Sequence, residues 1–468
     1  MEHRYEHSLV VIFVILFFIF CSHLVFANQR QELNVYPEQI ILTLPKSQDQ
    51  EFRLTTTLKP MKIIIDSNVD NFEFPTVTRY NDVVFKEMRF SKTPTGSRLV
   101  LEFKYLVPKP EIRENDEFIQ IEIDKTYVQG SRRFVERGII YGHQRRGDIF
   151  GPNVVNYLEV DLQQGIEVKL GLAQNKVFGS EYVSRISERF GAFAAVNGAY
   201  FAPNGRPLGV LMIDGELISE PYANRTALGM DGKGSLVMGN VDFLGEVLME
   251  DGTFLFEVHG LNRPREFDEL VAFNYHYGNQ TNTNHFGHEV TVIDGEITRI
   301  QLGNSPIPPS GFVLSGTGEA KDFLETLEIG DKVQINTELI CQWEETDIRQ
   351  IIGGGPRLVR DGKVEITGKE ERFQNDILIG RNPRTALGIT ADNKLLLVTV
   401  NGRQPNISVG MTLNELADFL IELGAVQAMN LDGGGSTTMV VRNLVLNIPS
   451  DGSERAVSNA IVVIASPE

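Results

Sequence analysis

Hydrophobic and polar positions follow two different rhythms along this chain. From about residue 28 to 125 they alternate in short runs, as in Ile40-Ile41-Leu42-Thr43-Leu44, Arg98-Leu99-Val100-Leu101-Glu102-Phe103 and Phe118-Ile119-Gln120-Ile121-Glu122-Ile123. Period two puts successive side chains on opposite faces of a strand, and turn residues such as Pro94-Thr95-Gly96 separate the runs, so a small β-rich module is predicted over residues 28–126. Further on, strand-like runs are joined by helical spacing. Glu181 to Phe190 is amphipathic and stops at Gly191, after which Ala192-Phe193-Ala194-Ala195-Val196 reads as a buried strand ending at Asn197-Gly198. Thr412 to Leu423 predicts a helix. Thr412 and Glu415 stand at capping-box spacing, Leu416, Phe419, Leu420 and Leu423 share one face, and Gly424 is the stop. This pattern predicts an α+β domain over residues 156–466, with a mixed β-sheet and flanking helices. Residues 127–155, rich in Arg and Gly, are expected to be a linker or the approach to that domain.

An internal repeat adds geometry. Arg225-Thr226-Ala227-Leu228-Gly229 returns as Arg384-Thr385-Ala386-Leu387-Gly388, each preceded by an Asp-Gly turn, Asp214-Gly215 and Asp361-Gly362. Two related β units would carry Arg225 and Arg384 to equivalent positions on the sheet. A guanidinium fork suits bidentate contact with phosphate or carboxylate. Pairing of each Arg with a structural acid is the plainer alternative.

Composition narrows the setting. The 468 residues are 42% hydrophobic and 23% charged, ordinary for a globular protein with room for more than one domain. A net charge of −18 argues against nucleic acid as a partner and against an anionic membrane surface. His3, Arg4 and His7 precede an apolar run from Leu9 to Cys21, and Val25-Phe26-Ala27 supplies small residues at a cleavage position. Residues 1–27 therefore read as a signal peptide, with an uncleaved anchor over residues 9–26 as the alternative. Either places the main body outside the cytoplasm, with association with the cell envelope through the N-terminus. Of the two cysteines, Cys21 falls in this leader and Cys341 has no intramolecular partner, so no disulfide framework is expected.

The chemistry concentrates near the C-terminus, in Asn430-Leu431-Asp432-Gly433-Gly434-Gly435-Ser436-Thr437-Thr438-Met439. Ala425 to Met429 is fit for a buried strand, which would leave Asp432 where the strand exits the core. Consecutive glycines allow left-handed backbone, and their N–H groups can converge on an anion. A tight turn in which Asp only bonds its own backbone is the competing reading. A nucleotide P-loop is excluded, because no Lys follows the glycines and Thr437 to Val441 reads as a strand rather than a helix. His276, His285 and His288 lie close in sequence among Asn and Thr residues, but their spacing matches no metal-ligand signature.

Taken together, five blocks resemble the phosphodiester glycosidase family: Ala195-Val196-Asn197-Gly198-Ala199-Tyr200-Phe201, Gly353-Gly354-Gly355-Pro356-Arg357-Leu358, Pro383 to Gly388, Asn430 to Thr437, and Arg455-Ala456-Val457-Ser458-Asn459-Ala460. They extend over roughly residues 155 to 466 and leave the N-terminal module outside. Ala199 stands where the family often has a second Gly. The resemblance implies an exported hydrolase that splits the bond between a sugar's anomeric carbon and a phosphodiester oxygen, releasing free sugar and a phosphomonoester.

On that reading the substrate is a glycosyl phosphodiester or phosphate-bearing envelope glycan, such as an exopolysaccharide, and no cofactor is expected. Asp432, Arg384 and Asn197 form the catalytic group. Arg384, with Arg225, holds the phosphate, and the amides of Gly433, Gly434 and Gly435 complete its cradle. Asp432 faces the anomeric carbon as nucleophile, base or charge stabiliser. Asn197, Asn430 and Ser436 bond sugar hydroxyls or water, Tyr200 offers a stacking wall, and Thr437 belongs to the same loop. A glycan-binding module without catalysis and a metal-dependent phosphodiesterase with Asp432 as a ligand are the alternatives from other classes. The blocks hold few carboxylates and histidines for a two-metal site.

Overall fold

The computed structural model describes residues 31–105, 107, 109–344 and 347–465. The leader or anchor expected over residues 1–27 lies outside them. Among the described residues no helix is long and apolar enough to cross a membrane.

The chain divides into two compact units, one formed by residues up to 128 together with 146–152, the other by 129–145 and 153–468. In the first, the predicted strands lie at Gln39–Pro45, Gly96–Phe103 and Phe118–Asp124. They take part in a four-stranded and a five-stranded sheet. Alternation is literal here: Ile40, Leu42 and Leu44 are fully buried, as are Ile63 and Ile65, Leu99 and Leu101, and Ile121 and Ile123. These side chains make one core. Lys125, also buried, pairs with Asp82 at 2.6 Å.

The second unit is mostly β. Its eight-stranded sheet runs Tyr127–Glu136, Ile139–Asp148, Gly151–Val160, Leu395–Val400, Arg384–Thr390, Ala425–Asn430, Arg357–Arg360, Lys363–Val364. Residues 127–155, expected as a connection, thus carry long strands. A five-stranded sheet contains Ile166–Leu172, Asn459–Ala465, Ala194–Asn197, Met439–Val441 and Leu444–Val445, and a seven-stranded one is built around Thr226–Asp231 and Ile348–Gly353. Side chains of all three, among them Leu158, Val196, Leu228, Ile352, Leu387, Met429 and Ile461, share a single core.

The expected mixed sheet is corrected. Among the described pairings of this unit all are antiparallel except Gly260–Leu261 with Val271–Ala272. The helix Leu413–Glu422 does link two strands that run the same way, Leu395–Val400 and Ala425–Asn430. Arg384–Thr390 lies between them and pairs antiparallel with both, so the crossover produces no parallel neighbours. The helix carries the predicted capping box, the Thr412 hydroxyl accepting from the Glu415 amide and the Glu415 carboxylate from the Thr412 amide. Its apolar face, Leu416, Phe419 and Leu420, packs on Val398, Ala386 and Ala428 of the sheet. The helix Val183–Arg189 covers the five-stranded sheet in the same way.

Candidate functional site

Three strand ends converge on Asp432. Ala194–Asn197 ends in a fully buried Asn197 whose Nδ2 donates to the Asp432 main-chain carbonyl at 2.6 Å. Its Oδ1 accepts from the Thr385 hydroxyl at 2.7 Å and from the Thr438 amide at 3.0 Å. The Leu431 amide donates to the Thr385 carbonyl, and the Asp432 amide to the Gly198 carbonyl. The chain therefore leaves the strand Ala425–Asn430 in one conformation, pinned from both sides. Asn197 is a brace for this loop, and both ends of its amide are already bonded.

The glycine run does not form the predicted three-amide cradle. Gly434–Ser436 closes a 3₁₀ turn, with Gly434 in left-handed backbone at φ 61°. The Gly433 amide points to the Asp432 carboxylate, and the Gly434 amide donates to the Pro383 carbonyl at 2.9 Å. Only the Gly435 amide is left without an internal partner among the described residues. Glycine is needed here for close approach: a Cβ on Gly433 would stand 2.7 Å from the Pro383 oxygen, and one on Gly435 would strike the side chains of Arg455 and Asp451.

Burial lifts the Asp432 carboxyl to a pKa of about 6, while Ser436, Arg455 and the Gly433 amide pull the other way. Asp432, Gly433 and Gly434 are each partly exposed as residues, which sets this loop at the surface of the unit. Tyr200 stands next to it. Its hydroxyl donates to the Gly355 carbonyl at 2.9 Å and accepts from Asn430 Nδ2 at 2.7 Å. Burial and the Asp432 charge hold this phenol well above its ordinary range, and Arg384 and Arg225 act on it in the opposite sense. The four side chains thus share one electrostatic neighbourhood. Asn430 Oδ1 and Thr437 Oγ1 are buried there with no hydrogen-bond partner among the described residues, an unusual state for buried polar atoms.

The two repeat arginines occupy related positions. Gly354 donates its amide to the Thr226 carbonyl at 2.9 Å, as Leu431 does to Thr385 at 2.8 Å, and Ala227 faces Gly353 as Ala386 faces Asn430. Gly355 is accordingly the counterpart of Asp432. Their environments differ, and the expectation for Arg384 is corrected. Arg384 is 3% exposed, and its Nε, Nη1 and Nη2 donate to the carbonyls of Met411, Ile377 and Gly380. Burial without a carboxylate lowers its pKa to about 10, so it remains cationic at neutral pH while bracing two loops. Arg225 is half-buried and donates from Nε to the Glu371 carbonyl at 3.1 Å. Its guanidinium lies 3.8 Å from the Phe373 ring centre and 4.7 Å from that of Tyr222. It forms no ion pair among the described residues.

One cation and one acid escaped the sequence reading, and a second cation, Arg455, was named only as part of a matching block, without a role. Arg455 is paired with Asp451, its Nε 3.0 Å from Oδ2, yet its charge reaches Asp432. Arg403 lies beside Gly434, 3.3 Å from where a Cβ would stand. The signal for it was available, because Asn401-Gly402 after the strand Leu395–Val400 repeats the Asn197-Gly198 ending. Glu371 is 1% exposed and accepts from the Thr226 hydroxyl at 2.6 Å, the Thr226 and Arg357 amides, and Thr367. No local pattern marked it.

The three histidines are separated. His276 Nε2 is 2.9 Å from Glu216, His285 packs on Phe286, and among the described residues neither ring nitrogen of His288 is hydrogen-bonded, its Nδ1 lying 3.8 Å from Glu325. Among the described residues no group of three or more His, Cys, Asp or Glu is arranged to hold a metal ion.

Residues 287–464 match the family model described as phosphodiester glycosidase. The resemblance predicted from the motifs therefore holds over that span, while Asn197, Tyr200 and Arg225 precede it. The N-acetylglucosamine-1-phosphodiester alpha-N-acetylglucosaminidase of Bos taurus is 34% identical over 120 residues, which is 23% of this chain and 22% of that protein. An uncharacterized SPbeta prophage-derived protein of Bacillus subtilis is 36% identical over 83 residues, 18% of this chain and 13% of its own. The chain thus spans about a fifth or less of the length of these curated relatives. Among solved structures, a hypothetical protein from Synechocystis superposes with a TM-score of 0.65 at 19% identity, covering 93% of this chain and 81% of its own. A putative exported protein from Burkholderia pseudomallei gives 0.62 at 21% identity, covering 73% and 97%. These two likenesses are of fold.

Proposed function

We propose that this chain, which resembles the phosphodiester glycosidases over residues 287–464, is an exported hydrolase that cleaves the anomeric C–O bond of sugar-1-phosphodiesters to free sugar and phosphomonoester. The observation that carries this reading is the Asp432 carboxylate, raised to about 6 by burial in a partly exposed loop and bordered by cations. A phosphomonoester anion is a good leaving group, so one carboxylate at the anomeric carbon suffices where other glycosidases use two. At neutral pH Asp432 is ionised and poorly solvated, which suits it to attack the anomeric carbon, to stabilise the oxocarbenium-like transition state, or to take a proton from water.

Arg455, Arg403 and Arg225 hold the departing phosphate, and the Gly435 amide adds one donor. Arg384 contributes positive potential from behind the wall rather than direct contact. Asn430 Oδ1 and Thr437 Oγ1, which lack partners among the described residues, bond the sugar hydroxyls, and the Tyr200 ring bounds the sugar. Asn197 acts through Asp432 as a positioning residue. The leader-like residues 1–27 support export, and an envelope glycan bearing phosphate fits as the natural substrate.

The test is product release. Purified full-length chain is incubated with several sugar-1-phosphodiesters in ¹⁸O-labelled water. Free reducing sugar carrying the label supports the reading. Label on phosphate, or no turnover of any phosphodiester, sinks it.

A further inference from the structure

A second candidate binding region shares no lining residue with the Asp432 site. Three cavities of 540, 500 and 410 Å³ follow one another along the second unit: Asp214 lines the first and second, and Glu216, Tyr275 and His276 line the second and third. Each alone is in the size range of a small-ligand site. Together they make a furrow suited to an extended ligand.

At its middle stands an aromatic platform. The Tyr275 hydroxyl donates to Glu216 Oε2 at 2.7 Å, and His276 Nε2 lies 2.9 Å from the same oxygen. The two rings are 3.9 Å apart at 35°. Tyr275 is nonetheless 50% exposed. A ring clamped by its own hydroxyl and backed by a second ring presents a flat apolar surface whose ordering cost is met before any ligand arrives. The walls decide the ligand's charge. Asp214, Glu216, Asp231 and Asp347 outnumber Lys233 and Arg349, and Lys169 is already tied to Glu167 at 3.0 Å. A polyanion is disfavoured there, whereas hydroxyl donors find carboxylate acceptors and a pyranose face finds the ring.

We propose that this furrow binds an uncharged, extended oligosaccharide, with Tyr275 as its stacking platform and Glu216 as both clamp and hydroxyl acceptor. The proposal rests on the glycan reading of the Asp432 site only for the choice of ligand class. Its test is binding without hydrolysis, so either can fail while the other stands.

Calorimetric titration of the full chain uses cellohexaose, chitohexaose and maltohexaose, with hexameric oligogalacturonate as the anionic control. At least one neutral hexasaccharide should bind. Tyr275→Ala should weaken it about tenfold or more, the size of a lost aromatic anchor, while Tyr275→Phe retains most of the affinity. Release of sugar from a small sugar-1-phosphodiester should be the same in Tyr275→Ala as in the wild type. The proposal is overturned if none of the three neutral sugars binds, if binding survives Tyr275→Ala, or if oligogalacturonate binds as tightly at this position.

Discussion

Asn197 holds the main-chain carbonyl of Asp432 at 2.6 Å across 235 residues of sequence. The same side chain accepts from Thr385 and Thr438, so one amide joins the five-stranded sheet, the eight-stranded sheet and the loop that carries the carboxylate. Asn197→Ala would leave several buried groups unpaired. It should cost about 2–4 kcal/mol in urea unfolding and lower turnover through a displaced Asp432. Unchanged stability would show that the loop holds its shape without this brace.

Asp432→Asn separates function from stability. The folded-state pKa of about 6 lies above the ordinary 3.8, so the folded chain binds more protons than the unfolded one between these values. Stability is then full below about pH 4 and falls as pH rises through 6, by an amount on the order of 3 kcal/mol. The isosteric amide lacks this loss. The variant should be inactive, equal to the wild type in melting temperature at pH 4, and more stable at pH 7.5. Equal melting temperatures at both pH values would refute the raised carboxyl.

The same group sets an acid limb. If Asp432 works as the carboxylate, kcat/KM on a sugar-1-phosphodiester should fall about tenfold per pH unit below 6 and level off above it. An alkaline limb near 6 instead would make Asp432 a proton donor.

Arg384 and Arg455 should respond in opposite ways. Arg384→Met takes one donor each from the carbonyls of Met411, Ile377 and Gly380, of which Met411 keeps the Asn382 amide, and a loss of about 2–4 kcal/mol is expected by denaturant titration. Arg455→Met breaks an exposed ion pair with Asp451, expected to cost under about 1 kcal/mol, but should reduce turnover by about 10²–10³ as a lost charge-stabilising group. The reverse result would return the phosphate to Arg384.

Tyr200→Phe removes the hydroxyl between Asn430 and Gly355 while keeping the ring. A loss of about 1 kcal/mol is expected, because the Gly355 carbonyl loses its near donor while Asn430 Nδ2 keeps the Leu431 carbonyl at 2.6 Å. Loss of turnover without any change in stability would give the hydroxyl a direct part in the reaction.

Much of this molecule could be read without coordinates. Alternation marked the strands around Ile40, Leu99 and Ile121; Thr412, Glu415 and Gly424 bounded a helix at its true ends; and the apolar run before Asn430 put Asp432 at a strand exit. The Arg-Thr-Ala-Leu-Gly repeat even foretold equivalent strands. These features are local, because periodicity and capping record only which face of an element is buried and where it stops. What they could not say is which segment fills the space beside each element. Arg384–Thr390 came to lie between the two strands joined by the helix, which turned an expected mixed sheet antiparallel. Pro383 took the Gly434 amide and Asp432 that of Gly433, which dissolved the predicted cradle. Three carbonyls, two of them within seven residues and the third at Met411, took the Arg384 guanidinium, while Arg455 and Arg403 arrived at the glycine turn from other loops. Hydrogen-bond donors are shared out among partners far apart in the chain, and only the folded arrangement assigns them.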